Sequence, residues 1–262
     1  MSTTFNNIEV NQNNLGILRI TLSRPDKLNA LNSELLHELH QILVTAQKDN
    51  QVKALLITGA GKAFCAGADI SQLAALTPQQ GYEFAKKGQS IFRLLEQLGK
   101  PSLAAINGYA FGGGCELAMS ATLRISAPTA QFGQPEVKLG VIPGYGGTQR
   151  LARLIGKGRA LDLCLTGRFI KAEEALQWGL TTEITTAENL LTRAEEILTN
   201  VIHLAPLAIS SAMTVIDAGY DLTLNDALEL EAAHFAMLCG SNDKQIGTTA
   251  FLNKQAAEFT GK

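Results

Sequence analysis

The sequence predicts an α/β fold of parallel strands joined by helices, followed by an all-helical C-terminal region. Two observations carry this. A short apolar run, then a loop of small residues, then a helix-spaced pattern occurs from Ala54 and again from Ser102. Repeats of that kind imply parallel crossovers, right-handed where chirality applies. After about residue 188 strand patterning stops. Residues 1–187 are therefore expected to form the core, and 188–262 a helical oligomerisation region.

The elements follow in order. Ile8 and Val10, then Ile17, Ile20 and Leu22, flank Asn13-Asn14 and predict a hairpin. Leu35, Leu36, Leu39, Ile42, Leu43 and Ala46 recur at helical spacing behind a cap at Asn32 or Ser33. Residues 54–58 read as a buried strand stopped by Gly59, 61–71 as a loop, and 78–98 as a helix. The second unit has a strand over 102–106, a glycine loop, a helix from about Gly114, and a strand over 123–126. Residues 190–203, 206–217, 224–238 and 245–259 read as helices whose apolar faces invite a second subunit. The loops Ala66–Asp69 and Gly112–Gly114 both fall after strands, where ligands of such sheets usually bind.

Composition excludes several classes. The 262 residues are 46% hydrophobic and 18% charged, with a net charge of −2 that offers no field to nucleic acid or anionic membrane. No apolar run reaches the roughly 18 residues of a membrane span. The N-terminal Met1-Ser2-Thr3-Thr4 lacks the apolar core of a leader, so a cytoplasmic protein is expected. Cys65, Cys115, Cys164 and Cys239 have no zinc-ligand spacing and read as free structural thiols, with no metal site. His37, His40, His203 and His234 fall in helical patterns away from the glycine loops, and Trp178 reads as a packing residue.

Two carboxylates stand out. Glu116 follows Gly112-Gly113-Gly114, and Glu136 lies in Gln131-Phe132-Gly133-Gln134-Pro135-Glu136. Carboxylates embedded in glycine and apolar residues are costly unless paired, hydrogen-bonded or used in acid/base chemistry. The glycines do not fit a dinucleotide fingerprint or a Walker loop, and no Gly-x-Ser-x-Gly elbow is present. They are either a flexible turn or backbone N–H donors at a helix N-terminus, a geometry suited to a developing oxyanion. Ala68, in Phe64-Cys65-Ala66-Gly67-Ala68-Asp69-Ile70, is the candidate for an opposing donor.

Longer motifs add a resemblance. They are Leu22-Ser23-Arg24-Pro25 with Leu28-Asn29-Ala30-Leu31, Ala63 to Asp69, Asn107 to Leu117, Phe132 to Glu136, and Ile142-Pro143-Gly144-Tyr145-Gly146-Gly147-Thr148-Gln149-Arg150-Leu151. From about residue 8 to 260 the chain resembles the enoyl-CoA hydratase/isomerase (crotonase) family, and within it the short-chain hydratases. The resemblance implies a spiral of repeated β-β-α units with a helical C-terminal trimerisation region, assembled as a homohexamer of two trimers. It implies an acyl-CoA thioester substrate, the carbonyl lying between the N–H groups of Ala68 and Gly113. Coenzyme A arrives with the substrate, so no separate cofactor is expected. The CoA portion would pass Lys27, Leu28 and Ala30 and run along Ala66, Ala68, Asp69 and Ile70, with Phe235 and Lys254 of a neighbouring subunit over its end.

By the same resemblance, Glu116 activates water for attack on the β-carbon of a trans-2-enoyl-CoA. Glu136 holds that water and exchanges a proton with the α-carbon. Having both acids favours hydration over the alternatives, isomerisation of 3-enoyl-CoA to 2-enoyl-CoA or a non-catalytic relative that binds acyl-CoA or RNA. Tyr145, where many hydratases carry a smaller residue, is the candidate acyl-pocket residue.

Overall fold

The computed structural model describes residues 5–262; the Met1–Thr4 segment, read above for a leader, lies outside the described residues. Strands β1 (Ile8–Gln12) and β2 (Ile17–Leu22) form the hairpin. The Asn13 side chain turns the chain by accepting from the N–H groups of Leu15 and Ile17, each at 3.0 Å. Helix α1 (Ser33–Lys48) starts where the Asn32 side chain accepts from Leu35 N–H at 2.8 Å, and all six apolar positions of its stripe are buried. An Asn cap of this kind satisfies one of the four donors that a helix start leaves open.

Three β-β-α turns follow. The first is β3 (Ala54–Gly59), β4 (Ala63–Cys65), the short α2 (Ile70–Leu73) and α3 (Pro78–Glu96). The second is β5 (Ser102–Ile106), β6 (Tyr109–Phe111) and α4 (Gly113–Ser120). The third is β7 (Leu123–Ser126), β8 (Gln131–Gly133), a 3₁₀ turn over Glu136–Leu139, then α5 (Gly147–Ile155) and α6 (Lys157–Thr166). Short elements close the core: β9 (Phe169–Lys171), α7 (Ala172–Trp178) and β10 (Glu183–Ile184).

Each turn sends its first strand to one sheet and its second to another. The six-stranded sheet runs β1-β2-β3-β5-β7-β10 and the four-stranded sheet β4-β6-β8-β9. Because β4, β6 and β8 pair in parallel, the loops that leave β4 and β6 emerge side by side. The second sheet could not be read from periodicity, since strands of three residues are too short to show alternation. Residues 61–71, expected to be one loop, therefore contain β4 and the start of α2.

Helix α8 (Leu190–Ile202) lays Leu190, Ala194 and Leu198 on the large sheet against Ile17, Leu56, Leu103 and Ile125. Beyond it, α9 (Pro206–Gly219) and α10 (Leu224–Cys239) bury none of their residues. The last helix, α11 (Asn242–Leu252), begins and ends earlier than the expected 245–259. Lys254 takes φ +56°, and the tail turns back so that Asp243 accepts from Thr260 N–H at 2.7 Å and Gly261 N–H at 2.9 Å. No single helix among the described residues is long and apolar enough to cross a membrane.

The segment 28–31 is laced to the loop after β4. Ala66 N–H donates to Leu28 at 2.9 Å, Leu31 N–H to Gly67 at 2.8 Å, and Asp69 N–H to Leu31 at 3.0 Å. Leu28 and Asn29 adopt left-handed φ of 51° and 58° to make this fit. The buried Asn29 amide holds the turn, donating to Ala63 O at 2.8 Å and Ala60 O at 2.9 Å while accepting from Arg24 N–H at 2.9 Å. Removing that amide takes the side-chain donor from Ala60 O and the acceptor from Arg24 N–H and leaves Ala63 O with the longer Asn107 bond at 3.3 Å, a loss that typically costs about 1–3 kcal/mol. Asn29→Ala is expected to lower stability by about that amount in urea denaturation; an unchanged midpoint would contradict the lacing.

Candidate active site

A trans peptide carries its C=O and N–H on opposite sides. Since Gly67 C=O is taken by Leu31 N–H, Ala68 N–H is turned away from Leu31 and toward the start of α4. There Gly112, at φ +48°, releases the chain into the helix, and Gly113 offers the first N–H. A Cβ on Gly113 would stand 3.4 Å from Ala68 N, which sets the two donors close together at the helix start. Neither N–H has an acceptor among the described residues. The sequence left a turn and a donor pair as alternatives; the structure sets two N–H groups without acceptors among the described residues near one another at this helix start.

The carboxylates flank the same helix start. Glu116, in the first turn of α4, is 1% exposed. Its Oε1 accepts from Tyr145 N–H at 2.8 Å and from Gly147 N–H at 2.6 Å. Burial, and next the charge of Glu136, push its pKa up to about 8; the two N–H bonds and the Arg150 charge pull the other way without prevailing. Glu136 opens the 3₁₀ turn after β8 and reaches back to Gly112, where a Cβ would stand 2.5 Å from its Oε1. Burial pushes the Glu136 carboxyl up as well. With its amide nitrogen facing that carboxyl, the fully buried Gln134 stands 3.1 Å from both oxygens. Two acids raised together hold a proton into the neutral range, and they titrate as a unit.

Ala66, Ala68 and Asp69 are half-buried along the loop after β4, Ile70 is exposed, and Lys27, Leu28 and Ala30 sit beside them in the laced segment. The Asp69 carboxylate is already engaged by Ser71 at 2.7 Å and Arg24 at 3.3 Å, which hold it below the usual range, so main chain is what residue 69 offers a ligand. Phe235 on α10 and Lys254 after α11 are exposed on the C-terminal helices. Burial pushes the Cys65 thiol up to about 12 and Cys115 further, so neither is a thiolate nucleophile.

Tyr145 is 2% exposed. Its ring packs on Phe84 at 5.2 Å and edge-on to Phe92 at 5.5 Å, and a Cβ on Gly113 would touch it at 3.3 Å. On α3, Gly88 leaves the space the ring fills, since a Cβ there would overlap it. Its hydroxyl has no hydrogen-bond partner among the described residues. Sequence reasoning placed Tyr145 in a pocket but missed its N–H, together with Gly147 and Gln134, as the groups that hold the carboxylates. A signal was present: Pro143-Gly144-Tyr145-Gly146-Gly147 is a third glycine loop running into a helix start.

This constellation has relatives. The sequence model of a family described as Enoyl-CoA hydratase/isomerase matches residues 12–262. The chain belongs to that family. It is 42% identical over 240 residues to the short-chain-enoyl-CoA hydratase of Clostridium acetobutylicum, covering 91% of this chain and 92% of that one. It is 41% identical over 242 residues to the crotonyl-CoA hydratase of Syntrophomonas wolfei, covering 92% and 93%. The crystal structure of an enoyl-CoA hydratase from Bacillus anthracis superposes with a TM-score of 0.94 at 36% identity, over 98% of this chain and 100% of that one. The β-β-α spiral is thus the crotonase fold.

The raised Glu116 pKa has a thermodynamic consequence. A carboxyl whose folded value exceeds its unfolded value, ordinarily 4.5, stabilises fully below the unfolded value. That contribution is lost as pH rises through the folded value. Glu116→Gln stays neutral and can still accept both N–H bonds, so its melting temperature is expected to gain on wild type as pH increases above 4.5. Parallel curves for the two proteins would contradict the assignment.

Proposed function

We propose how this family member works. It is an enoyl-CoA hydratase, adding water reversibly to a trans-2-enoyl-CoA to give a 3-hydroxyacyl-CoA. The observation that carries the mechanism is the placement of a buried acid, a half-buried acid and two unpartnered N–H donors around one helix start. The thioester oxygen lies between Ala68 N–H and Gly113 N–H, which stabilise the negative charge that develops there; loss of one such donor typically costs about 10²–10³ in rate. Water sits between the acids. Its oxygen bonds to the β-carbon as ionised Glu116 takes one of its protons, and protonated Glu136 delivers a proton to the α-carbon on the same face. Atoms and charge balance, with the pair exchanging which member holds the proton. Fatty-acid β-oxidation in the cytoplasm is the setting proposed for this reaction.

The CoA portion is proposed to follow Lys27, Leu28 and Ala30 and the edge Ala66–Ile70. The substrate brings its own coenzyme A, and no metal or further cofactor takes part. Assembly as two trimers is supported by the uncovered C-terminal apolar surface: Ile216 is 72% exposed, Leu224 74%, Phe235 70% and Phe251 83%. Between α9 and the core a cleft of about 1110 Å³, lined by Met119, Leu123, Leu154, Met213 and Ile216, extends that surface. Phe235 and Lys254 would there reach a neighbour's CoA.

Glu116→Gln and Glu136→Gln are each expected to slow crotonyl-CoA hydration about 10²–10⁴-fold, followed by loss of the conjugated thioester absorbance. Unchanged rates would exclude these roles, and product analysis with 3-enoyl-CoA would expose an isomerase. Tyr145 is proposed to end the acyl pocket. Tyr145→Ala is expected to shift the rate profile toward longer enoyl chains; an unaltered profile between four and sixteen carbons would remove it from the pocket.

A further inference from the structure

Glu116 is held by a loop, and the loop has to be held in turn. Residues 143–147 connect the 3₁₀ turn to α5, and backbone N–H groups alone bring this loop to the carboxylate. From α3, Gln89 donates to Gly144 O at 3.0 Å. The more elaborate support comes from α5. Arg150 Nη1 donates to Tyr145 O at 2.7 Å, in the peptide that lies between the two peptides bearing the donating N–H groups. The other edge of the guanidinium grips Glu96, the last residue of α3, through Nη2 to Oε2 at 3.0 Å and Nε to Oε1.

Both partners are mostly covered, at 15% and 18% side-chain exposure, so water competes little for either. Gly146 sits at φ +108°, and a Cβ there would overlap the Arg150 guanidinium, so the loop is shaped around this side chain. A planar fork can serve a carbonyl on one edge and a carboxylate on the other; an ammonium lacks that geometry.

We propose that Arg150, clamped by Glu96, is a positioning residue for Glu116, fixing the Tyr145–Gly147 backbone whose N–H groups aim the carboxylate. This rests on the hydratase reading given above. Arg150 also acts by charge. The groups facing Glu116 are Glu136, Arg150, and the uncharged Cys115, Cys164 and Tyr145. Arg150 is the one cation among them and favours the ionised form of Glu116.

Two variants separate geometry from charge. Arg150→Gln loses both, while Arg150→Lys keeps the charge and loses the fork. The readouts are crotonyl-CoA hydration across pH and an isotope-edited infrared titration of Glu116 in the ligand-free protein. Arg150→Gln is expected to lower kcat by up to about 10²-fold, the scale of a misplacement near 1 Å, with KM little changed. Its Glu116 titration and the acid limb of kcat should both move to higher pH. Arg150→Lys is expected to lower kcat while its titration stays near that of wild type. Wild-type kcat in either folded variant would overturn the proposal. So would an unmoved Glu116 titration in Arg150→Gln, or a loss confined to KM. Wild-type protein inactive on crotonyl-CoA would sink the hydratase reading alone, and the infrared titration would still decide whether Arg150 governs Glu116.

Discussion

A buried acid and a half-buried one, side by side at the mouth of one short helix, are what the rest of this molecule has to accommodate. Glu116 is 1% exposed and is met by the Glu136 charge as well as by burial. Their cost is offset partly by backbone, through the N–H groups of Tyr145 and Gly147, and partly by the buried Gln134 amide. Donors fixed in a covered site need no reorganisation when charge develops. The spiral meets that requirement by placing consecutive loops on neighbouring parallel strands of the small sheet.

The glycines follow from the same demand. Gly112 leaves room for the Glu136 carboxylate, Gly113 for Leu31 and the Tyr145 ring, and Gly147 for the Glu116 side chain, where a Cβ would stand 3.0 Å from Cγ. Each closes a distance that any side chain would open. On the far side of Gly113 the Tyr145 ring occupies the space left by Gly88, so a large aromatic stands against the helix start. Support for the site therefore comes from α3, α4 and α5 at once, with the lacing of 28–31 holding the fourth side.

Much of this was legible in the chain. The hairpin, α1 with a cap at Asn32 or Ser33, and the apolar strands β3 and β5 were read from period and punctuation. Glu116, Glu136 and the Gly112–Gly114 run stood out because acids and glycines are conspicuous in apolar surroundings, whereas the pairing of Ala68 with Gly113 came from the family resemblance. The small sheet did not, because strands as short as β4 and β6 carry no period and are defined by their pairing. The end of α11 was misjudged for a related reason: Asp243 captures the tail through contacts distant in sequence. Tyr145 and Gly147 N–H were invisible as ligands of Glu116, since a backbone donor leaves no mark on residue type.

The central claim is that paired main-chain donors hold the thioester oxygen while Glu116 and Glu136 share one water. A crystal structure with an unreactive acyl-CoA thioester bound tests it most directly. The account predicts the thioester oxygen about 2.7–3.1 Å from both Ala68 N and Gly113 N, with a single water between the two carboxyl groups on one face of the acyl chain. A thioester seated elsewhere, or carboxyl groups that open into separate spaces, would contradict it.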